Sequence, residues 1–155
     1  MTKWTSLTYI FILLFACTPP PKEGDGNPFV GQWELDLAQS DPPLRNQFKN
    51  VSPHLMSITA LGSDGLTIAY PKSGTSCDGT FDGKENECRG PGVPEGFTMS
   101  LKMISPDELS YSAGTQSGNR STGTLKVSED GLILTQVSQP GGLEKPVKAV
   151  YQKQL

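Results

Sequence analysis

The chain is 155 residues long, with 13 Lys and Arg against 16 Asp and Glu and a formal net charge of −3. That is one domain's worth of chain, and no cluster of Lys and Arg breaks the acidic balance, which excludes a nucleic-acid surface built on a positive field. Gly (17) and Pro (13) are plentiful and few windows space apolar residues as a helix would, so short strands joined by turns are expected.

The amino terminus begins with Met1-Thr2-Lys3-Trp4, carrying one positive charge, followed by an apolar run from Leu7 to Ala16. A membrane-crossing helix needs roughly 20 apolar residues, so this run is too short to span and reads as the apolar region of a secretory signal peptide. It closes in Leu14-Phe15-Ala16-Cys17. That tetrapeptide resembles the lipobox of bacterial lipoproteins, where a leucine stands three residues before the cysteine and a small residue directly before it. The alternatives are an ordinary signal peptide with a chance cysteine, or a buried amino-terminal strand.

The resemblance implies removal of residues 1–16 and acylation of Cys17, which would join the protein to a membrane without any spanning helix. Each buried methylene contributes about 0.8 kcal/mol, so two or three acyl chains make such attachment effectively permanent. Thr18, rather than Asp, follows the cysteine, which favours the outer membrane of the cell envelope. Residues 17–28 contain Pro19-Pro20-Pro21 and Gly24-Asp25-Gly26. A stiff proline run beside a flexible glycine pair buries no apolar surface and reads as a tether.

The domain is expected over 29–155, with strands at 30–37, 55–61, 66–71, 74–81, 96–104, 108–114, 122–128, 132–138 and 146–153. After the first strand, Pro42-Pro43 precede Leu44 and Phe48, which predicts a short helical turn or loop. "LGSDGL" (61–66) and "SEDGL" (128–132) place Asp-Gly between apolar runs, the composition of tight hairpin turns that need a positive φ. "SPDE" (105–108) suits a type I turn. Hairpin after hairpin without a long crossover describes an antiparallel meander. Val147, Ala149 and Tyr151 alternate with more polar neighbours, as do Leu101 and Met103, so one face is apolar and one is wet. An all-β meander of about eight or nine strands closes most economically into a barrel, which removes its exposed edges. A sandwich is the other architecture.

The first strand reads Gly31-Gln32-Trp33-Glu34-Leu35-Asp36-Leu37-Ala38-Gln39-Ser40. Its G-x-W resembles the opening of lipocalins and related small barrels, where the tryptophan closes the base. The whole domain resembles, in order, uncharacterised short bacterial secreted domains that open G-x-W-x-L-D-x-A-x-S and end in a strand like Val150-Tyr151-Gln152-Lys153-Gln154. The resemblance implies a lipocalin-like barrel with Trp33 as a structural core residue. Two features depart from lipocalins proper: there is no T-D-Y motif, and no arginine after Arg120 to stack on Trp33.

Cys77 and Cys88 flank a predicted turn in a chain addressed to an oxidising compartment, so they are expected to form a disulfide. With a single, distant histidine, His54, the pair lacks the ligands of a zinc site, and it is not a redox C-x-x-C pair. The acidic residues Asp78, Asp82, Glu85 and Glu87 depart from the calcium-loop spacing and read as a solvated hairpin tip. "RGPGVPEG" (89–96) reads as a mobile loop at the barrel mouth. The one histidine, His54, follows Pro53 and reads as a surface or capping residue.

No catalytic constellation, metal site or cofactor motif is read from the residues, and oligomeric state is left open. Two functions follow from this reading. A lipid-tethered barrel would hold a small apolar ligand, lined by Met56, Ile58, Ile68, Met99, Met103, Leu134 and Tyr151. Alternatively, a packed structural lipoprotein would meet envelope or host macromolecules through loops that include 74–96 and 114–121.

Overall fold

A computed structural model describes residues 26–50 and 53–155. The signal peptide, Cys17 and the tether up to residue 25 lie outside the described residues. The chain forms β1 (Gly31–Leu35), α1 (Pro42–Phe48), β2 (Leu55–Leu61), β3 (Gly65–Tyr70), β4 (Thr75–Thr80), β5 (Asn86–Arg89), β6 (Phe97–Ser105), β7 (Glu108–Thr115), β8 (Ser121–Val127), β9 (Ile133–Gln139) and β10 (Val147–Gln154). Each strand pairs antiparallel with its chain neighbour, and β1 pairs with both β2 and β10, so the sheet closes into a barrel.

The expected all-β barrel is present, with ten strands rather than eight or nine. The additional strand is β5, whose four residues Asn-Glu-Cys-Arg bury only Cys88. So short and polar a segment carries no alternation signal. It joins the sheet because Cys88 stands directly opposite Cys77 on β4, and the two are disulfide-bonded with Cα atoms 4.2 Å apart.

Turn chemistry follows the Asp-Gly signals with one change. The β8–β9 turn has its positive φ at Gly131 (73°), as expected. In the β2–β3 turn the positive φ is instead at Gly62 (61°). Gly65 has already entered β3, where a Cβ would lie 2.7 Å from the Gly79 carbonyl oxygen. There the glycine is required for close approach of two strands rather than for the turn.

The end where β1 begins is packed solid. Phe29, Trp33, Ile58, Leu66, Leu101, Leu109, Val127 and Leu134 are all buried there. Trp33 Nε1 donates to the Phe29 carbonyl at 2.9 Å, and the Phe29 N–H donates to Asn27 Oδ1 at 3.1 Å. Residues 27–30 thus fold across the barrel base and satisfy the polar edge of the indole. Lys153, the cross-strand neighbour of Trp33 on β10, holds its Nζ 5.1 Å from the ring centroid. A lysine in the final strand therefore supplies the cation over the tryptophan.

Residues 36–41 run along the outside of β10 and carry α1 over the opposite end. Ser40, the one buried polar residue among those described, donates its hydroxyl to the Asp36 carbonyl at 2.7 Å and accepts from the Val150 N–H at 3.0 Å. Asp41 then clasps Lys148: the Lys148 N–H donates to Asp41 Oδ2 at 2.8 Å, and the Asp41 N–H to the Lys148 carbonyl at 2.9 Å. With Pro42 and Pro43 in its first turn, α1 starts immediately after this clasp.

Candidate functional site

Beneath α1 the interior is hollow. Beside larger apolar residues such as Met56, Ile68 and Met99, the inward positions of this half carry small ones, among them Thr75, Ala113, Ser121, Ser138 and Ala149, where the other half carries Leu and Trp. Side chains of that size cannot meet across the barrel, and a cavity of about 530 Å³ remains, its wall chiefly apolar. Leu44 and Phe48 of α1 roof it, and Pro140 and Leu143 of the β9–β10 loop border it. The disulfide stiffens the wall, with Cys77 facing the cavity.

One side of this wall carries an uncharged polar network. The Tyr151 hydroxyl donates to Gln136 Oε1 at 3.2 Å, and Gln136 Nε2 donates to the Tyr111 hydroxyl at 2.9 Å. Tyr111 is also hydrogen-bonded to the Ser138 hydroxyl. Tyr111 stands on β7 and its partners on β9, so its ring must cross β8. It does so at Gly123, its cross-strand neighbour, where a Cβ would come 2.9 Å from Tyr111 Cε1. Gly123 therefore admits the ring to its partners two strands away.

Two phenols of the wall, Tyr70 and Tyr151, are held in their neutral form. Burial, with a smaller contribution from Tyr111, pushes the Tyr70 hydroxyl up to about 12. Burial, followed by the proximity of Tyr70 and Tyr111, raises Tyr151 further. At the mouth, the His54 ring packs against Phe48 with centroids 4.4 Å apart and lies 6.2 Å from Tyr70. Burial, and secondarily the positive charge of Lys72, pushes the His54 pKa down. Its Nδ1 is buried without a hydrogen-bond partner among the described residues.

Of the residues expected to line a ligand site, Met56, Ile68, Met99 and Tyr151 do line the cavity. Ile58 and Leu134 are buried in the packed half instead, as is Trp33. Met103 is 38% exposed. Alternation from Leu101 would turn it inward, but β6 loses regular register against β7 between Met103 and Ser105, and the side chain emerges. His54 lines the mouth rather than the surface, because α1 folds Phe48 onto it. Tyr111, Gln136 and Ser138 were not anticipated. Their signal lies in β9, where alternation from Leu134 turns two polar residues, Gln136 and Ser138, inward.

Three of the acidic hairpin residues, Asp78, Asp82 and Glu85, are engaged on the outer surface. Asp78 binds Arg89 and the Thr67 hydroxyl, Asp82 pairs with Lys84 at 2.7 Å, and Glu85 pairs with Arg120 at 3.0 Å. Among the described residues, no group of three His, Cys, Asp or Glu side chains could hold a metal ion.

No protein-family model matches the chain, and no curated protein matches it. Solved structures do. A Schistosoma mansoni fatty acid binding protein in complex with arachidonic acid is similar at 16% identity and a TM-score of 0.60, over 85% of this chain and 100% of that one. Echinococcus granulosus fatty-acid-binding protein 1 is similar at 11% identity and a TM-score of 0.59, over 83% of this chain and 98% of that one. A luciferase domain from the dinoflagellate Lingulodinium polyedrum gives 12% identity and a TM-score of 0.56, over 83% of this chain and 42% of that one. At these identities the likeness defines the fold, a closed barrel of the fatty-acid-binding and lipocalin kind.

Proposed function

We propose that this protein is a lipid-anchored lipoprotein of the cell envelope, sited in the outer membrane, whose barrel carries a small apolar ligand without transforming it. The observation that carries the ligand reading is the cavity of about 530 Å³ with its mainly apolar wall. Small-molecule sites occupy roughly 300–1,000 Å³ and combine such walls with a few convergent polar groups. Structural neighbours that are fatty-acid-binding proteins support the same reading. The anchor is supported by Leu14-Phe15-Ala16-Cys17. Residues 27–30 cross the packed base of the barrel, so a tether ending there would leave the mouth at the far end.

Mass spectrometry of the full chain, extracted from membranes of an expressing bacterium, tests both halves. Under denaturing conditions, a peptide beginning at Cys17 should carry the mass of its acyl groups. An unmodified cysteine overturns the anchor. Under native conditions, a non-covalent adduct should remain on the folded protein. A bare mass after incubation with envelope lipid extract overturns the carrier and shifts function to the loops at 74–96 and 114–121.

A further inference from the structure

Resting on the carrier reading, we propose that the cavity selects an uncharged amphiphile, with a hydroxyl or ester head at the Tyr111–Gln136–Tyr151 network, against an ionised fatty acid. The first support is the distribution of charge. Among the described residues, no Lys, Arg, Asp or Glu lines the cavity. The three arginines of the chain all lie elsewhere. Arg45 is exposed on α1, Arg89 is bound to Asp78, and Arg120 is held outside by Glu85 at 3.0 Å and the Ser112 hydroxyl at 3.1 Å. Lys153 sits at the packed base over Trp33. A carboxylate drawn to the network would be buried with no cation among the described residues to meet it, which strongly disfavours the ionised form.

The second support is what the network can still bond. In the Tyr151–Gln136–Tyr111–Ser138 chain each link uses one donor and one acceptor. The second N–H of Gln136 and lone pairs on the phenols and on Gln136 Oε1 remain. That inventory suits a ligand hydroxyl, which donates and accepts, or an ester carbonyl, which accepts. Either head exchanges its water hydrogen bonds for protein ones without burying a charge. His54 Nδ1, without a partner at the mouth among the described residues, offers one more neutral polar atom to such a ligand. Arg45, Lys49 and Lys72 are exposed, where water screens them, so a fatty acid bound with its carboxylate outward gains little from them.

The test is a competition on the full mature chain at pH 8, with equimolar oleyl alcohol, methyl oleate and sodium oleate. The protein is re-isolated and the bound lipids extracted and quantified by gas chromatography. A blank carried through the same re-isolation without protein sets the background from detergent. Alcohol and ester should each exceed oleate by at least about tenfold, since every 1.4 kcal/mol is a factor of ten. Gln136→Leu should remove most of the alcohol's excess while methyl oleate falls less. Oleate equal to or above the alcohol on the wild-type protein overturns the neutral-head selection and leaves the carrier standing. No lipid on the wild-type protein above that blank overturns both. Selectivity unchanged in folded Gln136→Leu overturns the assignment of that network as the selecting element, and the wild-type competition decides the ligand class whether or not this variant folds.

Discussion

The two ends of the barrel use the same strands and the same inward alternation, yet bury different chemistry. At the base, Gly79 lies under Leu101, where a Cβ would come 2.6 Å from the leucine side chain. The space a side chain would have taken is filled by an apolar one, and the layer closes. Beneath α1, Gly123 lies under Tyr111 in the same way. There the admitted group is a phenol reaching for Gln136 and Ser138, and the layer stays open. One inward glycine thus completes a core and the other shapes a cavity. The difference lies in the partner that leans over it. Stability should therefore concentrate at the base and selectivity at the mouth.

The largest effect that tests this division is Trp33→Ala. Truncating a buried tryptophan typically costs about 3–5 kcal/mol, and this one also bonds the Phe29 carbonyl. The urea midpoint should fall sharply. A small shift would mean that the base is not the stable end. Next comes the Cys77–Cys88 bridge, which spans eleven positions of sequence. Closing so short a loop is worth about 2–3 kcal/mol in the chain-entropy model. A Cys77→Ala, Cys88→Ala chain should melt below the oxidised wild type, and should also bind less well, since Cys77 is part of the cavity wall. Smaller in stability but decisive in binding is Ala113→Leu. A leucine there enters open space, so it should cost less than the roughly 1–3 kcal/mol typical of overpacking a closed core. Ligand retention should nevertheless fall. A loss of stability as large as that of Trp33→Ala would erase the distinction between the two ends.

The base was the more legible end. Gly31-x-Trp33 and the Asp-Gly turn at 130–131 are local patterns at that end, and each appears in the barrel where its pattern placed it; of the mouth, only the alternation of Val147, Ala149 and Tyr151 was equally local. The mouth was harder to read because its features join distant strands. Tyr111, Gly123 and Ser138 meet only when β7, β8 and β9 are in correct register, and a slip of one residue exchanges inside for outside. Met103 failed for the related reason that β6 breaks register beside it. His54 has no local signal at all. It becomes part of the cavity because residues 36–41 clasp β10 and bring Phe48 over it. β5 depends on a covalent bond rather than on hydrophobic pattern.

The smallest expected effect isolates His54 at the mouth. Burial and then Lys72 lower its pKa in the folded protein, whereas in the unfolded chain it titrates at about 6.5. Above that pH both states carry a neutral imidazole and the group contributes no slope. As pH falls below 6.5, the unfolded chain binds the proton first, so folded stability declines until the folded imidazole also titrates. His54→Gln, which stays neutral throughout, should therefore flatten the decline in melting temperature between pH 7.5 and 5.5. Asp36, whose carboxyl is held below its usual range chiefly by the Gln39 side chain, does not interfere. Its contribution is present above its ordinary pKa near 4 and fades only at more acid pH, outside the window measured. Wild type and His54→Gln with the same slope would mean that the mouth is wet enough for His54 to titrate freely, and the open end would then differ from the base in hydration as well as in packing.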